Sequence, residues 1–170
     1  MAKKRKAARK TKTVAKAPAR RAALLFTIGY EQATLPAVLR ELDRAKVKTL
    51  IDSRAVAASR RPGFSKRQLA AALDDAGIAY IHLQKLGTPA EGREAARAGN
   101  LDMLWKIYGK HLKTPDAQAT LDELLALIKE GKRIALLCYC RDPNACHRSR
   151  IVAAVKDRMR VKVEDLIPAL

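Results

Sequence analysis

Residues 134–155 read IALLCYCRDPNACHRSRIVAAV. The run 133–140 is nearly all apolar, as expected of a strand buried on both faces of a parallel sheet. The run 143–159 is amphipathic and reads as a helix, with Asp142 as its cap and Pro143 at its first position. A buried strand feeding a helix through a short polar loop is the unit of an α/β fold. The junction also collects all three cysteines of the chain, Cys138, Cys140 and Cys146, together with His147 and Arg148.

The same alternation continues outward. Strands are expected at 23–29, 47–54 and 78–83, and a short last one at 161–166. Helices are expected at 34–47, behind Thr34 and Pro36, and at 65–77, where Ser65 and Gln68 stand at capping-box spacing and Gly77 marks the stop. Two more fall at 93–112, broken near Gly99 and Asn100, and at 116–131. Strands alternating with helices predict one three-layer α/β domain over 22–170, with a mostly parallel sheet of about five strands and helices on both faces.

The 170 residues carry a net charge of +18, unevenly spread. Residues 1–21 hold ten Lys and Arg and no acid, and they lack hydrophobic periodicity. They read as a disordered basic tail suited to salt-sensitive contact with nucleic acid phosphates, or as a solvated solubilising extension. No apolar run reaches membrane-spanning length and the N-terminus lacks the apolar centre of a secretory signal, so the expected location is the cytoplasm. Three reduced thiols, rather than a disulfide framework, are expected there.

In an open parallel sheet, ligands bind beyond the carboxyl ends of the strands. The unusual residues fall at such ends: Gly29, Tyr30 and Glu31; Asp52 and Arg54, followed by the basic loop SRRPGFS (59–65); Gly87 and Arg93; then the cysteine cluster. Cys138 and Cys140, two apart on a strand, should face one side, with Cys146, His147 and Arg148 at a helix start where anions bind and thiols ionise. This cluster supports three readings: a reactive thiolate beside Arg148, a metal site of Cys138, Cys140, Cys146 and His147, or ordinary packing of buried cysteines. Arg54 reads as an anion ligand oriented by Asp52, or as half of a structural ion pair. Arg60 and Arg61 beside Phe64 read as charge plus a stacking face, or as a solvated loop anchored by its ring. Tyr30 and Glu31 read as an acid–base pair or as a turn with an exposed carboxylate. Gly87 suits a tight turn. His82, Trp105 and Tyr108 read as core residues.

The segments FTIGYE, LIDSRAVAASRRPGFSKRQLAAAL, YIHLQKLGTPAEGREAARAG and ALLCYCRDPNACHR occur in this order. Together they resemble the prokaryotic family known as domain of unknown function 488, over residues of about 24–165. The resemblance implies a single α/β domain. It also implies family-typical positions at Gly29, Tyr30, Asp52, Arg54, Ser59, Arg60, Phe64, Leu86, Gly87, Cys138, Cys146, His147 and Arg148. Cys140 stands where the family pattern has Glu, and Asp52-Ser53-Arg54 stands for Asp-Val-Arg.

The leading expectation is an anion site at one sheet edge. Arg54, Arg60 and Arg148, with Gly29, Tyr30 and Gly87, would hold a phosphate-bearing small molecule or nucleic acid. Cys146 or Cys140 would be the reactive thiol, and His147 and Asp52 would handle protons or orient groups. No metal is assigned and the cofactor is left open. The alternatives are a non-catalytic nucleic-acid-binding accessory that uses its tail, and a metal-stabilised domain.

Overall fold

The computed structural model describes residues 22–170; the basic tail expected at 1–21 lies outside the described residues. Five strands form one parallel sheet in the order β3-β2-β4-β1-β5. They are β1 Ala23–Gly29, β2 Thr49–Asp52, β3 Ala79–His82, β4 Ile134–Cys138 and β5 Val161–Leu166. Six helices connect them: α1 Leu35–Arg44, α2 Lys66–Asp75, α3 Ala90–Arg97, α4 Leu101–His111, α5 Pro115–Lys129 and α6 His147–Lys156. The α/β architecture expected from the alternation is the one observed.

Strand periodicity divides the core in two. Phe26, Ile28, Leu50, Ala135 and Leu137 face one side, where Val38 and Leu42 of α1 and Leu69 and Leu73 of α2 cover them. Leu25, Ile51, Ile134 and Leu136 face the other, against Tyr108 of α4, Leu121, Leu124 and Ile128 of α5, and Ile151 and Val155 of α6. β4 is buried along its whole length because it lies between β2 and β1 with helices on both faces.

Chain direction explains where a site belongs. From β1 the chain passes through α1 to β2 on one side; from β4 it passes through α6 to β5 on the other. The two connections leave in opposite directions between neighbouring strands and open a crevice at their carboxyl ends. Gly29 and Cys138, register partners at the ends of β1 and β4, border it.

Several local expectations are corrected. α6 starts at His147 with Cys146 at its cap position, not at Pro143. Asp142 caps only a turn, accepting a bond from the Asn144 amide at 2.8 Å. β4 stops at Cys138 because its partner β1 ends at the matching Gly29, so Cys140 lies in a loop rather than on the strand. Ser65 does not close a capping box. Its hydroxyl donates to the Ser59 carbonyl at 3.0 Å, which ties down the basic loop instead.

Candidate functional site: a cationic cleft over a Cys–His cluster

A cleft of about 890 Å³ opens at the carboxyl edge of the sheet. The loop after β2 supplies Arg54, Arg60 and Arg61 to its wall, and α3 supplies Arg93 and Arg97. Cys138, Tyr139, Cys140 and His147 come from the β4–α6 junction, and Tyr30 from the end of β1. Five arginines line the cleft and no carboxylate does. Of the larger apolar side chains left exposed, Val56, Leu101 and Tyr139 belong to this wall, Tyr139 being 46% exposed.

The arginines are not equivalent. Arg54 is 6% exposed and grips the fully buried Asp52 with a two-pronged fork, Nε to Oδ1 at 2.8 Å and Nη2 to Oδ2 at 2.6 Å. Its remaining nitrogen, Nη1, donates to the Tyr30 hydroxyl at 2.7 Å and the Phe64 carbonyl at 2.9 Å. Tyr80 adds its hydroxyl to Asp52 Oδ2 at 2.6 Å. Burial pushes the Asp52 carboxyl up, but the Arg54 and Tyr80 bonds outweigh it and hold the group below its ordinary value. Burial and the Asp52 bond push the Tyr80 phenol up. Arg61 donates to the Ala33 carbonyl at 2.8 Å and Arg93 to the Thr88 carbonyl at 2.8 Å. Arg60 and Arg97 are exposed and form no salt bridge among the described residues.

The cleft floor is the Cys–His cluster. Cys138 ends β4 on the α6 side of the sheet, so the first turn of α6 brings His147 against it. Cys138 Sγ lies 3.3 Å and Cys146 Sγ 3.8 Å from His147 Nδ1. His147 Nε2 faces the Ser53 carbonyl at 3.1 Å. A carbonyl only accepts, so Nε2 carries the proton and Nδ1 presents its lone pair to the sulfurs. The thiols differ. Hydrogen bonding to the Cys138 and Cys140 thiols, opposed by burial and aided by His147, holds Cys146 well below the ordinary thiol value. Hydrogen bonding to Cys138 and Cys146, with burial, pushes Cys140 up. Cys146, the thiol held low, is thus 1% exposed and off the cleft wall, while Cys138 and Cys140, both on the wall, are pushed up.

The family model for the domain of unknown function DUF488 matches residues 34–155. The chain belongs to this family. Comparison with curated proteins finds no match. In this DUF488 domain, the family-typical positions divide by job. Tyr30, Arg54, Ser59, Arg60, Cys138 and His147 line the cleft. Asp52, Cys146 and Arg148 stand behind its surface. Asp52 lies on the α1–α2 side with Arg54 and Tyr80, apart from the Cys–His cluster that it was expected to serve. Arg148 is 1% exposed, and its guanidinium donates to the Cys140 carbonyl at 2.7 Å, Thr27 Oγ1 at 3.2 Å and Cys146 Sγ at 3.3 Å. It borders a separate depression beside α6, not the cleft. Phe64 is no stacking face: it is buried against Tyr30, ring centroids 4.1 Å apart. Glu31 is no free carboxylate either, since it accepts the Arg141 amide at 3.0 Å.

Two glycines act through space. A Cβ on Gly29 would lie 1.8 Å from the Cys140 carbonyl oxygen, and one on Gly87 would lie 2.0 Å from the Ala55 amide nitrogen. Both let one loop backbone press on another. Gly29→Ala should therefore cost about 1–3 kcal/mol, because only backbone can give way. A urea-melt loss under about 0.5 kcal/mol, the scatter of an ordinary surface change, would show that the Cys140 loop is not packed there.

Tyr139 and Arg97 were the residues missed by reading the sequence. Tyr139 sits among buried strand residues and gave no sign of facing outward. Arg97 lies in a helix whose position over the cleft depends on the turn at Gly99.

Proposed function

We propose that the cleft binds a phosphate-bearing ligand that also carries a flat apolar part, a mononucleotide being the simplest such molecule. The supporting observation is that five arginines and an exposed tyrosine share one concave wall that has no carboxylate. Unopposed guanidinium groups on a wall partly shielded from water attract anions and recognise phosphate through paired N–H bonds. The ring of Tyr139, fixed edge-on against Tyr30 at 5.5 Å, offers its exposed face for base stacking. Arg60 and Arg97 are the phosphate contacts in this reading, because Arg61 and Arg93 already donate to the Ala33 and Thr88 carbonyls and Arg54 to Asp52. Arg54 instead sets the floor that Tyr30 rests on.

The test titrates the full chain with inorganic phosphate, a mononucleotide and a short single-stranded oligonucleotide at fixed salt. Each charged hydrogen bond contributes about 1.5–3 kcal/mol, so Arg60→Ala and Arg97→Ala should each weaken nucleotide binding roughly ten- to hundredfold. Tyr139→Ala should weaken nucleotide binding and leave inorganic phosphate unchanged. The basic tail is present in every sample, so its contribution cancels between variants. Nucleotide binding untouched by either arginine change would overturn the reading. Oligonucleotide binding that ignores all three variants, with no mononucleotide bound, would favour the accessory role based on the tail.

A further inference from the structure

We propose that Cys138, Cys146 and His147 hold a zinc ion at the floor of the cleft. The Sγ atoms of both cysteines and a ring nitrogen of His147 all lie within 4.8 Å of one another. Tetrahedral zinc, with arms of about 2.3 Å to sulfur and 2.0–2.1 Å to nitrogen, spaces such ligands by roughly 3.5–3.8 Å. The two sulfur-to-Nδ1 separations, 3.3 and 3.8 Å, bracket that spacing.

Three features outside the ligand set point the same way. First, the histidine is oriented as a metal ligand needs. Nε2 is held by the Ser53 carbonyl at 3.1 Å and lies 3.2 Å from the Ser53 hydroxyl, which leaves the Nδ1 lone pair aimed at the sulfurs. Second, Arg148 donates Nε–H to Cys146 Sγ at 3.3 Å, the contact that steadies a metal thiolate. Third, Arg148 is a buried cation that forms no salt bridge with a carboxylate among the described residues. A buried cation needs strong acceptors, and a metal-bound thiolate sulfur accepts its N–H more strongly than a neutral thiol does. Soft sulfur plus imidazole selects zinc over magnesium or calcium, which take oxygen ligands.

On binding, Cys138 and Cys146 each lose a thiol proton to solvent as the zinc–sulfur bonds form, and no electron is transferred. Cys138 and His147 both line the cleft, so the ion would border it, and a fourth ligand would be water or Cys140, which lines the same cleft. Zinc replacing two thiol protons leaves the net charge of the floor unchanged, so the arginine wall keeps its positive excess. The site does not depend on the proposed nucleotide, and the two readings fail separately.

The untagged full chain, purified without chelator or loaded with zinc chloride and desalted, should retain about one zinc per chain by elemental analysis. Cobalt in place of zinc should give thiolate-to-metal charge-transfer absorption in the near ultraviolet. Cys146→Ser and His147→Asn should lose the ion, while Arg60→Ala should retain it and lose only anion affinity. Should a ligand variant fail to fold, release of zinc from the unaltered chain to a chelating dye, with a matching fall in melting temperature, gives the same answer. The proposal is overturned if the loaded chain holds no stoichiometric zinc, if the ion persists unchanged in both ligand variants, or if Cys138 and Cys146 are recovered as a disulfide.

Discussion

Asp52→Ala should lower the stability of the fold by about 3–5 kcal/mol, the usual cost of stripping one partner from a buried ion pair. In a chain of this size that is a fall in melting temperature of roughly 10 °C or more. Asp52 is fully buried and Arg54 is 6% exposed, so neither is hydrated once the other is gone. The change would leave a guanidinium stacked near the Tyr30 ring, 5.2 Å from its centroid, with no counter-charge. Arg54→Met should cost a similar amount, because it strands the carboxylate with only two neutral donors, the Tyr80 hydroxyl and the backbone amide of residue 54. The pair Asp52→Leu with Arg54→Met should cost much less than the two single losses added together, since an apolar pair asks for no desolvated charge. Denaturant melts of the three variants decide this, and simple additivity would show that the pair is not coupled. The pH dependence has a fixed sign. Asp52 is held below its ordinary value, so its contribution is whole above about 3.8 and drains away as acid protonates the folded carboxyl. Asp52→Asn should flatten the acid limb of the stability curve.

The second large effect is expected at Arg148. Arg148→Met keeps most of the stem but removes the bonds to the Cys140 carbonyl and Thr27 Oγ1, each a charged hydrogen bond of about 1.5–3 kcal/mol. The sum is a loss of about 3–6 kcal/mol. The Cys140 carbonyl would lose its charged donor, whereas Thr27 keeps its 2.6 Å bond to Asp165. Arg148→Lys should recover only part, since one ammonium cannot reach in the three directions that the planar fork serves. A melt of Arg148→Met within about 0.5 kcal/mol of the parent would remove Arg148 from the structural framework. Thiol-labelling rates give a second reading, because a loop released from Arg148 should expose Cys140 faster while Arg60→Ala leaves it unchanged.

Much of this architecture is legible along the chain. The apolar run 133–140 announces a strand between two others, and it occupies the position between β2 and β1. Thr34 before Leu35 announces a helix start, and its hydroxyl accepts the Ala37 amide as a cap should. The gathering of Tyr30, Arg54, Arg60, Cys138 and His147 at one edge follows from strand polarity alone, since parallel strands all end on the same side. Capping chemistry was less legible. Asp142 and Ser65 have partners that compete with the helix ends, and local spacing does not show which partner wins.

Composition and periodicity by themselves determined the α/β class, the strand ends where polar residues collect, and the excess of positive charge, because each depends on local order and counting. Only the tertiary structure decided which arginine touches what. Arg54, Arg60 and Arg148 carry the same group in sequence, yet one is locked to Asp52, one stands free on the cleft and one is buried behind the Cys140 loop. Burial and partners come from segments far apart in the chain, and those set whether a guanidinium is a strut or a hand for a ligand.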